Sequence, residues 1–344
     1  MVYKPHFGVV TGRTIRNYLK GREADIVGLV RDTYLLHDSG DTVNPRSYFL
    51  RFPDNPQNRI IALPAAVNGQ YPMSGIKWIS SYPRNIEYDV PRASAVLVVN
   101  DAETGFPTAC LESSIISATR TSASAILAAN MLSADRSRPK KLSIIGTGLI
   151  SRYVHKFFQK TGWNFDEILI YDLVKDNSYN YKKMLQERGE NNVHVADTQE
   201  DAVKSADIIV YATVSGEPHA CEPGWFAHNP IILHLSLRDL GVEVIQQSQN
   251  IVDDVDHVLQ AGTSVLRAVE KAGGNCAEIV DGTLADVITG KIKLSQDKPI
   301  VFSPFGLGVL DLALAGDILR HASHNGNLID IPNFYDDLDR LVSE

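Results

Sequence analysis

The stretch whose reading decides the fold is KKLSIIGTGLISRYVHKF, residues 140–157. Its apolar start reads as a buried strand, Gly146 and Gly148 as a tight turn, and the rest as a helix. Such a turn lets backbone approach a pyrophosphate closely, and the helix N-terminus offers it unpaired N–H groups. One position departs from the G-x-G-x-x-G spacing: Ser151 stands where the third glycine is expected. That glycine serves helix–strand packing, so a small residue is enough there. The next strand-like run, EILIYDL (167–173), ends in Asp172, 26 residues after Gly146. An acid at that place accepts hydrogen bonds from an adenosine ribose. Gly146, Thr147, Gly148, Leu149, Ile150 and Asp172 are therefore the candidate cofactor-binding set. The carboxylate favours NAD over NADP, whose 2′-phosphate it would repel, although Lys175 stands nearby. The alternative is a fold of this type that binds no nucleotide.

Outward from the turn, the pattern alternates. Strands are expected at 142–146, 167–173, 192–196, 207–213, 230–236, 250–255 and 299–306. Helices separate most of them, at 149–160, 179–189 and 198–206. Thr198 with Asp201 resembles a capping box. This alternation predicts an α/β fold with a doubly wound parallel sheet, whose ligands bind beyond the carboxyl ends of the strands. Thr213, Val214 and Ser215, and Ser236, Leu237 and Asp239, follow two such ends.

Before residue 137 the character differs. Short runs at 47–52, 59–67, 73–80 and 93–99 are broken by Pro, Asn, Gly and Asp, as strands of an antiparallel or mixed sheet are. Helices are expected at 23–40 and 113–132, the second rich in small residues and nearly free of charge. The expected organisation is a sheet-rich α+β domain of residues 1–136 and 308–344, with a Rossmann domain at 137–307 between its two parts. The C-terminal helix would pack back onto the first domain.

Composition narrows the function. A formal charge of -8 gives no basic footprint for nucleic acid. Cys110, Cys221 and Cys276 are scattered and odd in number, which suggests a reducing compartment and neither a disulfide scaffold nor a zinc site. The ten histidines form no metal-binding spacing, so no metal is expected. Neither a signal peptide nor a membrane span is evident, which makes cytoplasmic the expectation.

Several charges stand where charge is costly. Lys77 is the single charge in SGIKWIS; it is either an edge-strand lysine or a functional amine. Arg120 shares a helix face with Ile116, Ala123 and Leu127, so its partner is a protein carboxylate or an anionic ligand. Arg46 enters a strand after a proline, and Asp239 follows an apolar strand, where it is either a helix cap or a functional carboxylate. Arginines for a carboxylate, with an amine and an acid beside a nicotinamide, suit hydride transfer at the α-carbon of an amino acid or its imine.

The runs GIKWI, RASAVLVVNDAETGFPTACLESSIISATRTSASAILAA, LSIIGTGLI and FSPFGLGVLDLA resemble the ornithine cyclodeaminase/mu-crystallin family along nearly the whole chain. NRIIALPA, SGIKWI and PRNIEYDVPRAS look most like its 2,3-diaminopropionate-forming branch, the N-(1-amino-1-carboxy-2-ethyl)glutamate dehydrogenases of siderophore and antibiotic pathways. The resemblance implies a homodimer and an NAD-dependent oxidation, followed by hydrolysis to 2-oxoglutarate and 2,3-diaminopropionate. It also implies roles: Arg46 and Arg120 for a substrate carboxylate, Lys77 and Asp239 in catalysis, and Ser94 at substrate or nicotinamide. Phe305 and Gly306 would cover the nicotinamide, while Arg59 and Arg92 would anchor further carboxylates. Two segments bear on the substrate. LRDLGVEVI lacks the lysine that ornithine-cyclising members carry after this aspartate, and 253–273 has the apolar look of a substrate lid. An ornithine cyclodeaminase, an alanine-type dehydrogenase or a cyclic ketimine reductase is the neighbouring expectation. A non-catalytic, crystallin-like nucleotide binder is the distant one.

Overall fold

The computed structural model describes residues 5–69 and 72–335. Two compact units are distinguished, one of Met1–Arg120 and Leu307–Glu344, the other of Thr121–Gly306. The division falls inside the long helix α3, whereas the sequence reading sets it after residue 136.

The first unit opens with β1 (Gly8–Val10), α1 (Gly12–Leu19) and α2 (Glu23–Asp38). There follow β2 (Thr42–Val43), β3 (Tyr48–Arg51), β4 (Arg59–Val67), β5 (Met73–Ser81), β6 (Ala93–Asn100), β7 (Pro107–Glu112) and α3 (Ser114–Leu132). The second unit holds β8 (Lys141–Ile145), α4 (Leu149–Lys160), β9 (Glu167–Tyr171), α5 (Lys175–Glu187), β10 (Val193–Val195), α6 (Gln199–Val203), β11 (Ile208–Tyr211) and β12 (Ile231–His234). It continues through α7 (Val242–Gln246), β13 (Gln249–Val252), α8 (Val255–Val258), α9 (Ser264–Lys271), β14 (Gly282–Thr283), α10 (Leu284–Ile288) and β15 (Ile300–Ser303). The chain then returns to the first unit with α11 (Gly308–His324) and β16 (Ile329–Asp330).

The sheet of the first unit runs β16-β1-β7-β6-β5-β4-β2, with β3 also on β4. Only β1 against β7 is parallel among its pairings. Period-two alternation sorts its side chains by face. Leu63, Ala65 and Val67 of β4 and Leu97 and Val99 of β6 are buried, and α11 packs on β4 and β5. The other face carries the row Tyr48, Ala62, Trp78, Val96, set by register, and Tyr48, Trp78 and Val96 are exposed. Strands β1 and β7 and helix α1 escaped the sequence reading. β1 is only three residues long, and the buried Ala109 and Leu111 of β7 are separated by Cys110, which is no polar marker.

The sheet of the second unit is wholly parallel, in the order β10-β9-β8-β11-β12-β15-β13-β14. The apolar runs that read as strands are buried end to end in β11, β12, β13 and β15. β15 comes last in this part of the chain yet lies between β12 and β13, an order that no local pattern encodes. Strand order reverses between β8 and β11, which is the switch point where ligands of such sheets bind. α5 starts at Lys175, earlier than its apolar spacing suggests, because the Asp172 carboxylate accepts the Val174 N–H at 3.0 Å ahead of the first turn. Thr198 caps α6 by accepting the Asp201 N–H at 3.1 Å. The presumed lid at 253–273 turns its apolar residues inward. Val258, Val265, Ala268 and Val269 belong to the unit's core, since buried apolar surface stabilises by about 25 cal/mol per Å². No helix among the described residues is long and apolar enough to cross a membrane.

Candidate active site

In the second unit the glycine turn is built as its chemistry requires. Gly146 has φ 86°, and a Cβ there would stand 2.8 Å from the Ala212 carbonyl oxygen of the neighbouring strand end, so no larger residue fits. A Cβ on Gly148 would meet nothing within 4 Å, which leaves room above the turn. Gly148 is the N-cap of α4 and brings no side-chain cap, so the first N–H groups of the helix stay open to an anion. Ser151 does more than remain small: it is fully buried and its hydroxyl donates to the Gly146 carbonyl, tying helix to turn.

Asp172 sits at the head of this turn. Its Oδ2 accepts the Thr147 N–H at 2.9 Å and the Thr147 hydroxyl at 2.8 Å. Lys175, the nearby cation, pairs with Asp197 at 2.8 Å. Around the turn and the end of β11 stand apolar residues that nothing in the unit covers: Leu149 is 55%, Leu173 91% and Val214 74% exposed. Open helix amides, a carboxylate and bare apolar side chains fit a dinucleotide's pyrophosphate, ribose and adenine. Ile150 follows on α4, and Ser215 donates its N–H to the Thr213 hydroxyl at 3.1 Å.

Asp239 is the polar centre of the unit. It is fully buried, and its Oδ1 accepts from the Thr213 hydroxyl and from His219 Nε2 at 3.0 Å. Its Oδ2 accepts from the Ser236 hydroxyl and lies 3.3 Å from His234 Nε2. Burial by itself would raise this carboxyl, but hydrogen bonds from His219, His234 and Ser236 outweigh it and hold the group well below the usual carboxylate range. The turn that delivers it is strained: Leu237 has φ 71°, a left-handed conformation that leucine rarely adopts. His219 reaches on through Nδ1 to Gln199 at 2.7 Å, and Gln199 to the buried Tyr211 hydroxyl at 3.1 Å. Phe305 and Gly306 both donate backbone N–H groups to Asp253, at 2.9 and 2.7 Å, which fixes the segment after β15.

In the first unit Lys77 is 2% exposed on β5, which lies between β4 and β6. It is therefore not an edge-strand lysine. Its Nζ donates to Asp311 Oδ2 at 2.5 Å and to the Ser117 hydroxyl at 3.3 Å. Arg120 Nε lies 3.2 Å from the same Asp311 oxygen. One carboxylate on α11 thus gathers two cations, from β5 and from α3. Burial pushes the Lys77 amine down to about 8, a pull that Asp311 opposes and Arg120 reinforces.

Arg59 stands directly opposite Ser81, and Arg92 Nη1 donates to the Ser81 hydroxyl at 2.7 Å. Ser81 is four residues beyond Lys77 on the same face of β5, so strand alternation puts Arg59 on the side of Lys77, and Arg92, just ahead of β6, reaches that side through its hydrogen bond to Ser81. Ser94 is not among them: it pairs with Ser80, 2.8 Å between hydroxyls, on the opposite face. Arg46 lies between β2 and β3, exposed and without an ion pair among the described residues.

Asp311 and His219 were missed from sequence. Asp311 gave the same signal as Arg120, a charge among apolar residues in GVLDLALAG, but its partners stand 234 and 191 positions away along the chain. His219, in GEPHACEPG, gave none.

A parallel sheet with a glycine turn at its switch point, an acid closing the second strand, and a separate sheet-rich unit define a class, the NAD-dependent oxidoreductases. Within it, the chain belongs to the ornithine cyclodeaminase/mu-crystallin family, whose profile matches residues 21–326. It is similar to N-((2S)-2-amino-2-carboxyethyl)-L-glutamate dehydrogenase of Staphylococcus aureus, 28% identical over 305 residues, 86% of this chain and 89% of the relative. Among solved structures it resembles Thermococcus litoralis Delta(1)-pyrroline-2-carboxylate reductase in complex with NADH and L-proline. That match has TM-score 0.85 at 21% identity and covers 94% and 99% of the two chains. An archaeal alanine dehydrogenase dimer with bound NAD matches at TM-score 0.83 and 24% identity, covering 96% of this chain and 100% of that one. At these identities the two structures bear on the fold.

Proposed function

We propose that this chain oxidises the C–N bond of N-(1-amino-1-carboxy-2-ethyl)glutamate with NAD and hydrolyses the resulting imine to 2-oxoglutarate and 2,3-diaminopropionate. The observation that carries the substrate class is Arg92. Its guanidinium is held by a hydroxyl and has no carboxylate partner among the described residues, while burial lowers its affinity for a proton. A half-buried cation in that position calls for an anion, and on the same face stand Arg59 and Lys77. A substrate with several carboxylates answers that need, and the similarity to the Staphylococcus aureus dehydrogenase supports the same reading.

Bound NAD supplies the acceptor for the hydride that leaves the α-carbon. The chain's own residues do the rest. Arg120 and Arg92 hold carboxylates and so fix the carbon that reacts. Lys77, whose amine titrates near 8, exchanges protons with the substrate nitrogen and with the water that adds to the imine. Asp239, kept ionised by its donors, supplies a fixed negative charge of the kind that favours a developing iminium. The carbinolamine formed by water then loses the amine, which leaves as 2,3-diaminopropionate.

We further propose a cytoplasmic homodimer. The exposed apolar row Tyr48, Trp78 and Val96, with Leu50 beside it, is a face that a second copy would cover. The test of function is product analysis: purified protein, NAD and the glutamate conjugate should yield NADH, 2-oxoglutarate and 2,3-diaminopropionate in equal amounts by mass spectrometry. Proline from ornithine, with no turnover of the conjugate, would sink the reading.

A further inference from the structure

The acid in GVLDLALAG is unusually placed. Asp311 is fully buried on α11, and its Oδ1 takes no hydrogen bond among the described residues, while Oδ2 serves both Lys77 and Arg120. Arg120 Nε likewise lacks a well-aligned hydrogen bond despite lying 3.2 Å from that oxygen. A pair kept for stability would satisfy both oxygens, and an apolar side chain of similar size is commonly as stable as an imperfect buried ion pair. The carboxylate is therefore better explained by what it does to its two cations.

We propose that Asp311 is a positioning residue for the proposed reaction: one buried oxygen holds the Lys77 amine in place and Arg120 beside it. This rests on the reading of Lys77 as the proton-exchanging amine. Three elements besides α11 face that amine. The helix α3 presents Arg120 and Ser117, and the flanking strands present Leu63 and Leu97 directly opposite. Among the described residues Asp311 is thus the one acid paired with Lys77, against a second cation and apolar walls. Its charge and hydrogen bond favour the ammonium form, whereas burial and Arg120 favour the neutral amine. Without the carboxylate only the influences toward the neutral amine remain.

The test is the pH profile of kcat for oxidation of the glutamate conjugate, in wild type, Asp311→Asn, Asp311→Glu and Lys77→Met, with NADH binding by fluorescence to verify folded protein. In Asp311→Asn the limb assigned to the amine should move to lower pH by about one unit or more. The plateau kcat should fall on the order of tenfold to a hundredfold, with substrate KM changed far less. Asp311→Glu should bring the limb back toward its wild-type position, because it restores the charge. An unmoved limb in Asp311→Asn, with Lys77→Met inactive, overturns the role of Asp311. Full activity in Lys77→Met overturns the reading of Lys77 itself. If Asp311→Asn does not bind NADH, Asp311→Glu decides: a wild-type limb at reduced kcat supports positioning, and a wholly wild-type profile and kcat overturns it.

Discussion

Replacing Lys77 by methionine removes a charge that the fold carries at a cost. Burial is the main reason the Lys77 amine falls from 10.5 to about 8; Asp311 offsets part of that and Arg120 adds to it. A drop of that size corresponds to about 3 kcal/mol of folding stability, as an order of magnitude. The folded pKa lies below the unfolded one, so between pH 8 and 10.5 the unfolded chain binds more protons than the native protein. Stability contributed by this group therefore rises with pH across that window, and the penalty is fully present only below pH 8. Between pH 7 and pH 10 most of that penalty is relieved, a gain on the order of 2–3 kcal/mol. Lys77→Met should lack it, while Asp311 keeps Arg120 as its partner at 3.2 Å. Urea unfolding of both proteins at several values from pH 7 to pH 10 measures the difference directly. Wild type should gain on the variant, on the order of 2–3 kcal/mol, as pH rises. A stability difference that stays constant across the series would refute the claim that a buried, strained ammonium sits on β5.

Asp172→Ala should raise the NADH dissociation constant by about tenfold to a hundredfold, the worth of hydrogen bonds to a charged group, and relax discrimination against NADPH. Fluorescence titration with both nucleotides measures this, and an unchanged preference would remove Asp172 from the ribose site. Trp78→Glu places a charge on the exposed apolar row of the first unit's sheet, where Trp78 is 42% exposed. Sedimentation should show the variant as a monomer and the wild type as a dimer, and an intact variant dimer would clear that face of the role.

Much of the second unit was legible because its signals are local. Gly146 must adopt a positive φ, Asp172 must follow the second strand, and the buried strands β11 and β12 are mostly apolar runs. The first unit yielded its four longer-patterned strands and three of its helices, but not β1, β7 or α1, whose stretches are short or lack a polar rhythm. For the site, residue type pointed to Lys77, Arg120 and Asp239, since a charge inside an apolar run is visible in one dimension. Register was not. Ser94, which the family resemblance sets at substrate or nicotinamide, stands on the face of β6 opposite Lys77, because one position along a strand reverses the side.

By itself, then, the sequence determined the α/β class, the glycine turn and the presence of costly charges, because backbone geometry and hydrophobic periodicity act over a few residues. Only the tertiary structure decided what those charges meet. Lys77 and Asp311 are 234 positions apart and share a hydrogen bond of 2.5 Å. Asp239 owes its ionised state to His219, 20 positions away, and to the fold of β12 around His234. Electrostatics depends on distance and burial in space, and neither is a property of neighbours along a chain.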